Sequence, residues 1–420
     1  MSHSVTQPET PLKKERIVWI DQLKGVAFFF VILGHAGVEK TLKSWIYSFH
    51  MPIFFFLTGL NFNIEKLAQT KPLAFFKKLT LRLLVPYVWL QLLSMCLRFL
   101  QKTMLSHTEV PAALYMRGIV YGHSRLADAP SNPLYFVLVL FAAEALLYCI
   151  IKLTKGNLLF VYAIAFALLP VSLCTEYIRL YWHINVVPAV ACMILCGNAV
   201  GRLYRANEAT IKTLSLPRTC LWAVGLLAFG VLIWYLNGRT SIHGNHYGRD
   251  FIMAILTAMS TSIAFALLVM KLPKIGWLNL AGQNTLLFMG LHKPMLLCME
   301  AAFPAQKGTP LFILCAVVTC YAILLPVTLW FRSFAPFALG KRSDFADWKI
   351  KVGQAVCIVG ATCVPYLYAV NHLKGGLLRS TPAYTALAIA AYLVICAALY
   401  FVFQRYIRFP FLPETQEAAA

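Results

Sequence analysis

The chain has 420 residues, of which 60% are hydrophobic and 13% charged, and its 37 Lys and Arg against 16 Asp and Glu give a formal charge of +21. Disorder requires low hydrophobicity, and a nucleic-acid-binding domain carries its positive charge on a polar surface, so both classes are excluded. A chain this apolar is typical of a membrane protein, in which Lys and Arg collect in cytoplasmic loops.

Twelve apolar runs are long enough to cross about 30 Å of hydrocarbon as helices of roughly 20 residues. Lysine and arginine concentrate in alternate connections between them, so both termini are expected in the cytoplasm. With one or two short runs allowed to be re-entrant, the pattern predicts an all-α, polytopic membrane helical bundle of about 10–12 transmembrane helices. The runs lie at 17–35, 45–62, 79–100, 133–151, 157–175, 184–201, 220–236, 251–270, 279–299, 310–331, 353–370 and 383–403.

The chain shows no internal repeat or linker, so we predict one transmembrane domain at 17–403 between cytoplasmic tails at 1–16 and 404–420. The polar first residues predict no removable signal peptide. The cysteines lie in or at the ends of apolar runs without a CxxC pair, which favours neither a disulfide framework nor a metal site. His243, His246 and Asp250 have metal-like spacing, but Gly-rich polar loops often produce such spacing by chance.

The first run carries the densest set of ionisable residues, Asp21, Lys24 and His35, and such residues within a span usually mark a functional site. Lys24 and His35 lie about 20° apart around a helix and about 16 Å apart along it. Asp21 precedes Lys24 by one turn and can pair with it, but it lies about 21 Å from His35 along the axis. A carboxylate that orients His35 as a base must therefore come from another helix.

Glu144 is the only acidic residue placed deep inside another run, roughly 16 Å below the outer boundary. That depth matches Lys24 better than His35. We therefore expect Glu144 to pair with a cation, namely Lys24, Arg82 or Arg98, before it pairs with His35.

His50 lies about 7 Å into the second run, just before Pro52. A short turn over 36–44 can bring it towards His35. Two other interpretations stay open: the His50 ring can bond to a carbonyl freed by Pro52, and His35 can be an interfacial cap.

Arg82 begins the third run beside Lys77 and Lys78. These cations can bind the phosphates of a cytoplasmic ligand, or anionic lipid headgroups without specificity. In a later run Asn284 is placed to cap a helix start, and His292 stands in the middle of the span.

Five short segments stand in order along the chain: WIDQLKGVAFFFVILGH at 19–35, SFHMPIFFFLTG at 48–59, RLLVPY at 82–87, NPLYFVLVLF at 132–141 and GQNTLLFMGLH at 282–292. Together they resemble the acyltransferase-3 family of polytopic inner-membrane acyltransferases, which O-acylate cell-surface sugars and related acceptors. Lys24 and His35 look like the basic-x10-His motif of that family. Asp21–Gly25 is similar to the fucose-4-O-acetylase-like subgroup.

The resemblance implies a bacterial inner-membrane enzyme that moves an acyl group, most often acetyl, from cytoplasmic acyl-CoA to a hydroxyl of a cell-surface sugar or lipid-linked glycan. It implies no metal, and its partners would be membrane lipids, the saccharide and glycan-assembly proteins. His35 would accept the proton of the attacking hydroxyl, and an acyl-His35 intermediate is equally open. The catalytic candidates are His35, Lys24, His50 and Glu144. The donor-binding candidates are Lys24, Arg82, Lys77 and Lys78. The candidates near the substrate or the oxyanion are His292, His50, Asn284 and Tyr87.

Two other classes of protein fit the same pattern. Buried Asp21, Lys24, Glu144 and His292 among twelve spans also describe a proton-coupled secondary transporter. The chain lacks a repeated half with paired broken helices, which speaks against it. A non-catalytic glycan assembly subunit is the third class.

Overall fold

The computed structural model describes residues 17–106, 112–122, 129–176, 178–341, 347–373 and 382–406. In these ranges the chain is almost entirely helical, and its one strand-like feature is an isolated bridge between Ser241 and His246. The all-α class is therefore confirmed.

The α-helices are α1 (Val18–His35), α2 (Lys40–Phe49), α3 (Pro52–Leu60), α4 (Ile64–Gln69), α5 (Pro72–Leu79), α6 (Val85–Phe99), α7 (Ala112–Tyr121), α8 (Tyr135–Leu153), α9 (Leu158–Ala167), α10 (Leu169–Leu173), α11 (Val187–Ala206), α12 (Glu208–Thr213), α13 (Leu216–Asn237), α14 (Phe251–Met270), α15 (Gly276–Gln283), α16 (Thr285–Ala302), α17 (Pro310–Phe334), α18 (Asp347–Leu373) and α19 (Pro382–Tyr406). Short 3-10 turns lie at Asn132–Leu134, Tyr181–Val186, Ile242–Gly244, Pro304–Gln306 and Pro336–Leu339, and π-helical turns at Thr80–Leu84 and Leu100–Leu105.

Seven helical stretches in the described ranges are long and apolar enough to cross a membrane, and each coincides with a predicted run. They are Val18–His35, Pro72–Phe99, Asn132–Leu153, Tyr181–Ala206, Leu216–Asn237, Phe251–Met270 and Pro310–Phe334. The run at 45–62 is broken into α2 and α3, that at 157–175 into α9 and α10, and that at 279–299 into α15 and α16. The last two runs lie within α18 and α19.

Side-chain exposure separates a packed centre from an apolar perimeter. Most residues of α8 and α11 are buried, whereas α13 exposes most of its length, including Leu221 at 73% and Trp222 at 63%. Exposed apolar surface of this extent is typical of a face against lipid. The chain is thus a multi-pass helical membrane protein.

Close backbone contacts hold the central helices together. A Cβ at Gly197 of α11 would overlap the carbonyl oxygen of Phe56 in α3, and a Cβ at Gly59 of α3 would overlap that of Ile194 in α11. Small residues let membrane helices approach in this way and gain van der Waals contact. The contact fixes α3, which follows His50 in the chain, against the centre of the bundle.

The two ends of the bundle are named here after the ends of α1. The Val18 end also holds the end of α3 and the end of α11, since Leu60 and Gly201 line one cavity with Trp19. At the His35 end, Gly37 approaches Gly308. The sidedness of these ends stays a prediction, and the tail at 1–16 and residues 407–420 lie outside the described residues.

Candidate active site

The chain reversal after α1 brings α2 alongside His35. The carboxylate of Glu39 accepts hydrogen bonds from two backbone N–H groups at the start of α2, at 2.7 and 3.2 Å, and so caps that helix. The ring of Tyr47 in α2 then lies 6.1 Å from the His35 ring and 4.7 Å from the His50 ring, between centroids. Tyr47 therefore contacts both histidines of the first two predicted runs.

A third histidine comes from α16. The ring centroid of His292 lies 5.4 Å from that of His35, and Phe28 of α1 packs edge-on against His292 at 5.3 Å. His292 is fully buried and His50 nearly so, whereas His35 keeps part of its surface exposed. His50 interacts electrostatically with both other rings. His35, His50 and His292 form the histidine cluster.

Hydrogen bonds fix the tautomer of two of these rings. Nδ1 of His50 lies 2.9 Å from the carbonyl oxygen of Ile46, and Nδ1 of His292 lies 2.9 Å from that of Phe288. Because a carbonyl oxygen only accepts, each Nδ1 is the donor, and Nε2 of each neutral ring offers a lone pair. The carbonyl that His50 binds lies one turn before it and is not one freed by Pro52.

This arrangement bears on His50 and His292 as candidates near the substrate or the oxyanion. As neutral rings they can accept a hydrogen bond through Nε2 but cannot donate one from that atom. Nε2 of His292 is buried and has no hydrogen-bond partner among the described residues. The groups that act most strongly on His35 through their charge are His292, Lys293, His50 and Lys43, none of which is a carboxylate.

A cavity of about 340 Å³ opens near the Val18 end. Three cations and one carboxylate line it, on α1, α8, the π-helical turn and the segment after Pro336–Leu339. This space, the Arg82 cavity, is lined by Lys24, Phe54, Thr58, Arg82, Leu83, Phe136, Leu140, Glu144, residues 282–287, Leu339, Gly340 and Lys341. Lys24 also pairs with Asp21 at 3.5 Å, as predicted.

Glu144 pairs with Arg82, one of the three cations predicted for it. Its side chain is 5% exposed, whereas that of Arg82 is 50% exposed. The second carboxylate oxygen of Glu144 is buried without a hydrogen-bond partner in the described chain. Arg82 thus balances the charge of the buried Glu144 carboxylate, and its guanidinium is still exposed to the cavity.

A second cavity shares Lys24 but differs in charge. It measures about 640 Å³ and also contains Arg205, Asp21 and Glu208. The ammonium of Lys212, 2.8 Å from Glu208, holds the pKa of that carboxyl below its usual value. Two cations and two carboxylates therefore balance in this Arg205 cavity, whereas the Arg82 cavity has an excess of positive charge.

Several predicted site residues lie elsewhere. Lys77 and Lys78 are exposed and do not line the Arg82 cavity, although Lys78 acts electrostatically on Glu144. The hydroxyl of Tyr87 is buried and donates to the carbonyl oxygen of Ile119 at 2.7 Å. These three side chains are not brought to the cavity or the histidine cluster.

Asn284 lines the cavity, but not as the helix cap that its position predicted. Its side chain makes no cap bond at the start of α16. Instead its Oδ1 accepts a hydrogen bond from Nζ of Lys341 at 2.6 Å, and its Nδ2 donates to the carbonyl oxygen of Leu280 at 2.9 Å. The side chain is occupied by a partner some 57 positions away, which sequence-local capping rules do not consider.

Lys341 and Tyr47 are the residues at these sites that the sequence reasoning missed. Gly340 adopts a left-handed conformation, and a Cβ there would overlap the carbonyl oxygen of Leu81, so the turn fits against the segment that holds Arg82. The Gly-Lys pair after Pro336 was a usable turn signal. Tyr47 had no signal beyond its spacing from His50.

Two aromatic rings line the Arg82 cavity, one from α3 and one from α8. Phe54 and Phe136 line the cavity, and their ring centroids are 6.3 Å apart. Phe54 follows His50 by four positions, and Phe136 follows Tyr135, which packs on His183 at 5.0 Å. The histidine cluster does not line the Arg82 cavity, and Phe54 and Phe136 give the cavity an apolar part of its wall.

The metal-like spacing of the loop before α14 does not form a ligand set. Asp250 accepts hydrogen bonds from two backbone N–H groups at the start of α14, at 2.7 and 3.0 Å, and therefore caps that helix. Among the described residues no three His, Cys, Asp or Glu side chains are grouped so as to hold a metal ion.

Comparison with known proteins gives one match. A family model, Acyl_transf_3, described as an acyltransferase domain, matches residues 17–330. The matched stretch contains α1 to α16, both cation-bearing cavities except for Lys341 and its neighbours, and the whole histidine cluster. No curated protein and no solved structure matches the chain.

Proposed function

Because the chain belongs to the acyltransferase-3 family, and is thus a multi-pass membrane acyltransferase, we propose that it transfers an acetyl group from acyl-CoA to a hydroxyl of a cell-surface sugar or lipid-linked glycan. The observation that carries the proposal is the arrangement along α1: Lys24 lines a positively charged cavity, and His35 meets two further histidines towards the opposite end. A donor with an anionic head and a long arm suits such a path.

The Arg82 cavity is the better of the two for the donor head. The phosphate groups of acyl-CoA carry several negative charges, and Arg, with its planar fork, suits phosphate oxygens. The Arg82 cavity supplies Lys24, Arg82 and Lys341 against the single carboxylate of Glu144. The balanced Arg205 cavity offers no such excess.

His35 would serve as the general base. The acceptor oxygen attacks the thioester carbonyl carbon while His35 takes the hydroxyl proton; the C–S bond then breaks, the electron pair leaves with sulfur, and the proton passes to the CoA thiolate. The ester and free CoA are the products. The Nε2 lone pair of His292 would accept from an N–H of His35, which leaves the other His35 nitrogen free to take the proton.

The proposed setting is the inner membrane of a bacterium with both termini in the cytoplasm. The Val18 end then faces acyl-CoA, and the His35 end faces the acceptor. The pair of Asp21 with Lys24 also supports placement in the fucose-4-O-acetylase-like subgroup. Membrane lipids and glycan-assembly proteins would be its neighbours.

The test is acetyl transfer by purified protein in proteoliposomes, with acetyl-labelled acetyl-CoA and an extract of surface glycans. Because a general base contributes about 10²–10⁴-fold, His35→Ala should lower the rate at least to that extent. Phe29→Ala is the control, since its side chain is on the same helix and 40% exposed. A wild-type rate in the His35→Ala protein would refute the assignment.

The acceptor and the class of protein are tested separately. Surface glycans and lipid-linked precursors from cells with and without the gene should differ by an added acyl mass. If wild-type protein moves no label but vesicles containing it alone take up substrate with protons, the transporter alternative is favoured.

A further inference from the structure

A third cavity, of about 560 Å³, opens at the His35 end of the bundle. We call it the Arg239 cavity. Its wall contains Arg179 and Arg239, which are both exposed and have no ion-pair partner in the described part of the chain. The one carboxylate described in this wall is Glu176, which pairs with His246. The cavity therefore has unused positive charge in a place that the function above does not use.

We propose that the Arg239 cavity binds the acceptor, and that this acceptor is a saccharide that carries a carboxylate or phosphate group. The proposal rests on the function proposed above, because it gives the chemical class of its acceptor. A guanidinium donates two parallel hydrogen bonds to a carboxylate or phosphate, which gives both affinity and orientation. A neutral saccharide would leave both guanidinium groups without such a partner.

The wall is built before any ligand arrives. Nδ2 of Asn245 donates to the carbonyl oxygen of Ser172 at 2.8 Å, and the hydroxyl of Tyr247 donates to Oδ1 of Asn245 at 2.9 Å. Nδ2 of Asn185 donates to the carbonyl oxygens of Thr175 and Ile178, both at 3.0 Å. These amides are occupied by the protein itself and Glu176 is paired with His246, so Arg179 and Arg239 are the charged groups left for a ligand.

The backbone at one side of the cavity is held in an uncommon conformation. Trp182 and His183 have φ angles of 57° and 51°, which cost of order 1 kcal/mol or more for residues other than glycine. The indole N–H of Trp182 donates to the carbonyl oxygen of Val120 at 2.8 Å, which ties the turn in place. Such strain is typically kept at binding sites.

The strained turn places an aromatic surface in the cavity. The ring of His183 lies 4.8 Å from that of His243, and the ring of Tyr135 lies 5.0 and 4.7 Å from the two of them. His183 and His243 both line the cavity. His183 and Tyr135 are buried, so the partly exposed ring of His243 is the one on which the apolar face of a sugar would stack while its charged group reaches the arginines.

Tyr47 lies near Arg239 of this cavity and also contacts the histidine cluster. Tyr47 interacts electrostatically with Arg239 and with Tyr135, and its ring contacts that of His35. In the proposed complex, a sugar held by Arg239 directs one hydroxyl past Tyr47 towards His35. This path places the anionic group and the reacting hydroxyl on different atoms of the acceptor.

The experiment measures equilibrium binding to the full chain in lipid nanodiscs. Three labelled disaccharides are compared, identical except for a terminal glucuronate, glucose 6-phosphate or glucose. The glucuronate or the phosphate form should bind at least about tenfold more tightly than the glucose form. The Arg179→Gln, Arg239→Gln double variant should lose that preference, whereas Arg249→Gln should keep it, since Arg249 is exposed in the same loop but outside the cavity.

The outcomes separate this inference from the function. Equal binding of the glucose form, or an unchanged preference in the double variant, would overturn the acceptor class. The ratio between the glucuronate and phosphate forms identifies which anion is recognised. Wild-type protein and His35→Ala can both keep the preference for the anionic disaccharides while wild-type protein transfers no acetyl group from labelled acetyl-CoA. In that case the proposed acyltransferase mechanism is refuted and the proposed binding site is not. Each variant is checked for a single folded species by size-exclusion chromatography.

Discussion

Arg82→Gln is expected to destabilise the protein by about 2 kcal/mol, because it leaves the buried carboxylate of Glu144 uncompensated. Removing one partner of a buried ion pair costs roughly 3–5 kcal/mol. The guanidinium of Arg82 is 50% exposed and water shares its charge, so we take a value below that range. About 2 kcal/mol is roughly a 30-fold change in the unfolding equilibrium.

The charge of Glu144 can be removed at the same time. In the double variant Arg82→Gln, Glu144→Gln neither member of the ion pair carries a charge, so the free energy of unfolding should return to within about 1 kcal/mol of wild type. Unfolding is followed in mixed micelles as SDS is increased, with tryptophan fluorescence as the signal. Arg202 and Glu65 form the matched control pair, since they are 44% and 61% exposed and Arg202→Gln should change stability by less than about 1 kcal/mol.

The same variants report on the donor. The KM for acetyl-CoA should be raised in Arg82→Gln and should stay raised in the double variant, because the guanidinium is absent from both. A double variant as unstable as Arg82→Gln would show that compensation of Glu144 is not what Arg82 provides. A wild-type KM in the double variant would remove Arg82 from the donor site.

Two further changes test the walls of the Arg82 cavity. Gly282→Ala should lower the free energy of unfolding by about 1–3 kcal/mol and raise the KM for acetyl-CoA, because its Cβ would overlap the carbonyl oxygen of Asp21 and separate α15 from α1. Gly276→Ala is the control, since a Cβ at Gly276 would meet no atom within 4 Å. Equal stability of the two variants would contradict the packing argument. Lys341→Gln should raise the KM for acetyl-CoA and make that KM less sensitive to salt, because one cation facing the phosphates is lost. The kcat should be unaffected, because Asn284, the partner of Lys341, lies outside the histidine cluster. An unchanged salt dependence of the KM in steady-state kinetics would exclude Lys341 from the donor site.

Features within one helix could be predicted from the sequence. The Lys24 and His35 spacing needed only the geometry of α1, and the structure forms that helix from Val18 to His35 with Asp21 paired to Lys24. The all-α bundle followed from runs of apolar residues, because each span is decided locally by its own hydropathy.

Contacts between distant segments could not be chosen in the same way. Depth left Lys24, Arg82 and Arg98 open as partners of Glu144, and the structure gives Arg82 because α8 packs against the π-helical turn that carries it. The tautomers of His50 and His292 depend on where each ring turns about its own helix, and Lys341 reaches Asn284 only through the fold. The sequence gives the depth of a residue along its span, but pairing also depends on which helices are neighbours and on which side of its helix each residue lies.

The aromatic wall of Phe54 and Phe136 also bears on the membrane itself. A passage that joined the Arg82 cavity to the Arg239 cavity would be a polar channel lined by cations and histidines, and ions or protons would leak through it down the membrane potential. Phe54 and Phe136 place apolar rings in the wall of the Arg82 cavity, and apolar surfaces at a constriction exclude water. We expect such rings to oppose ion leakage through the bundle while each end of it keeps a polar cavity.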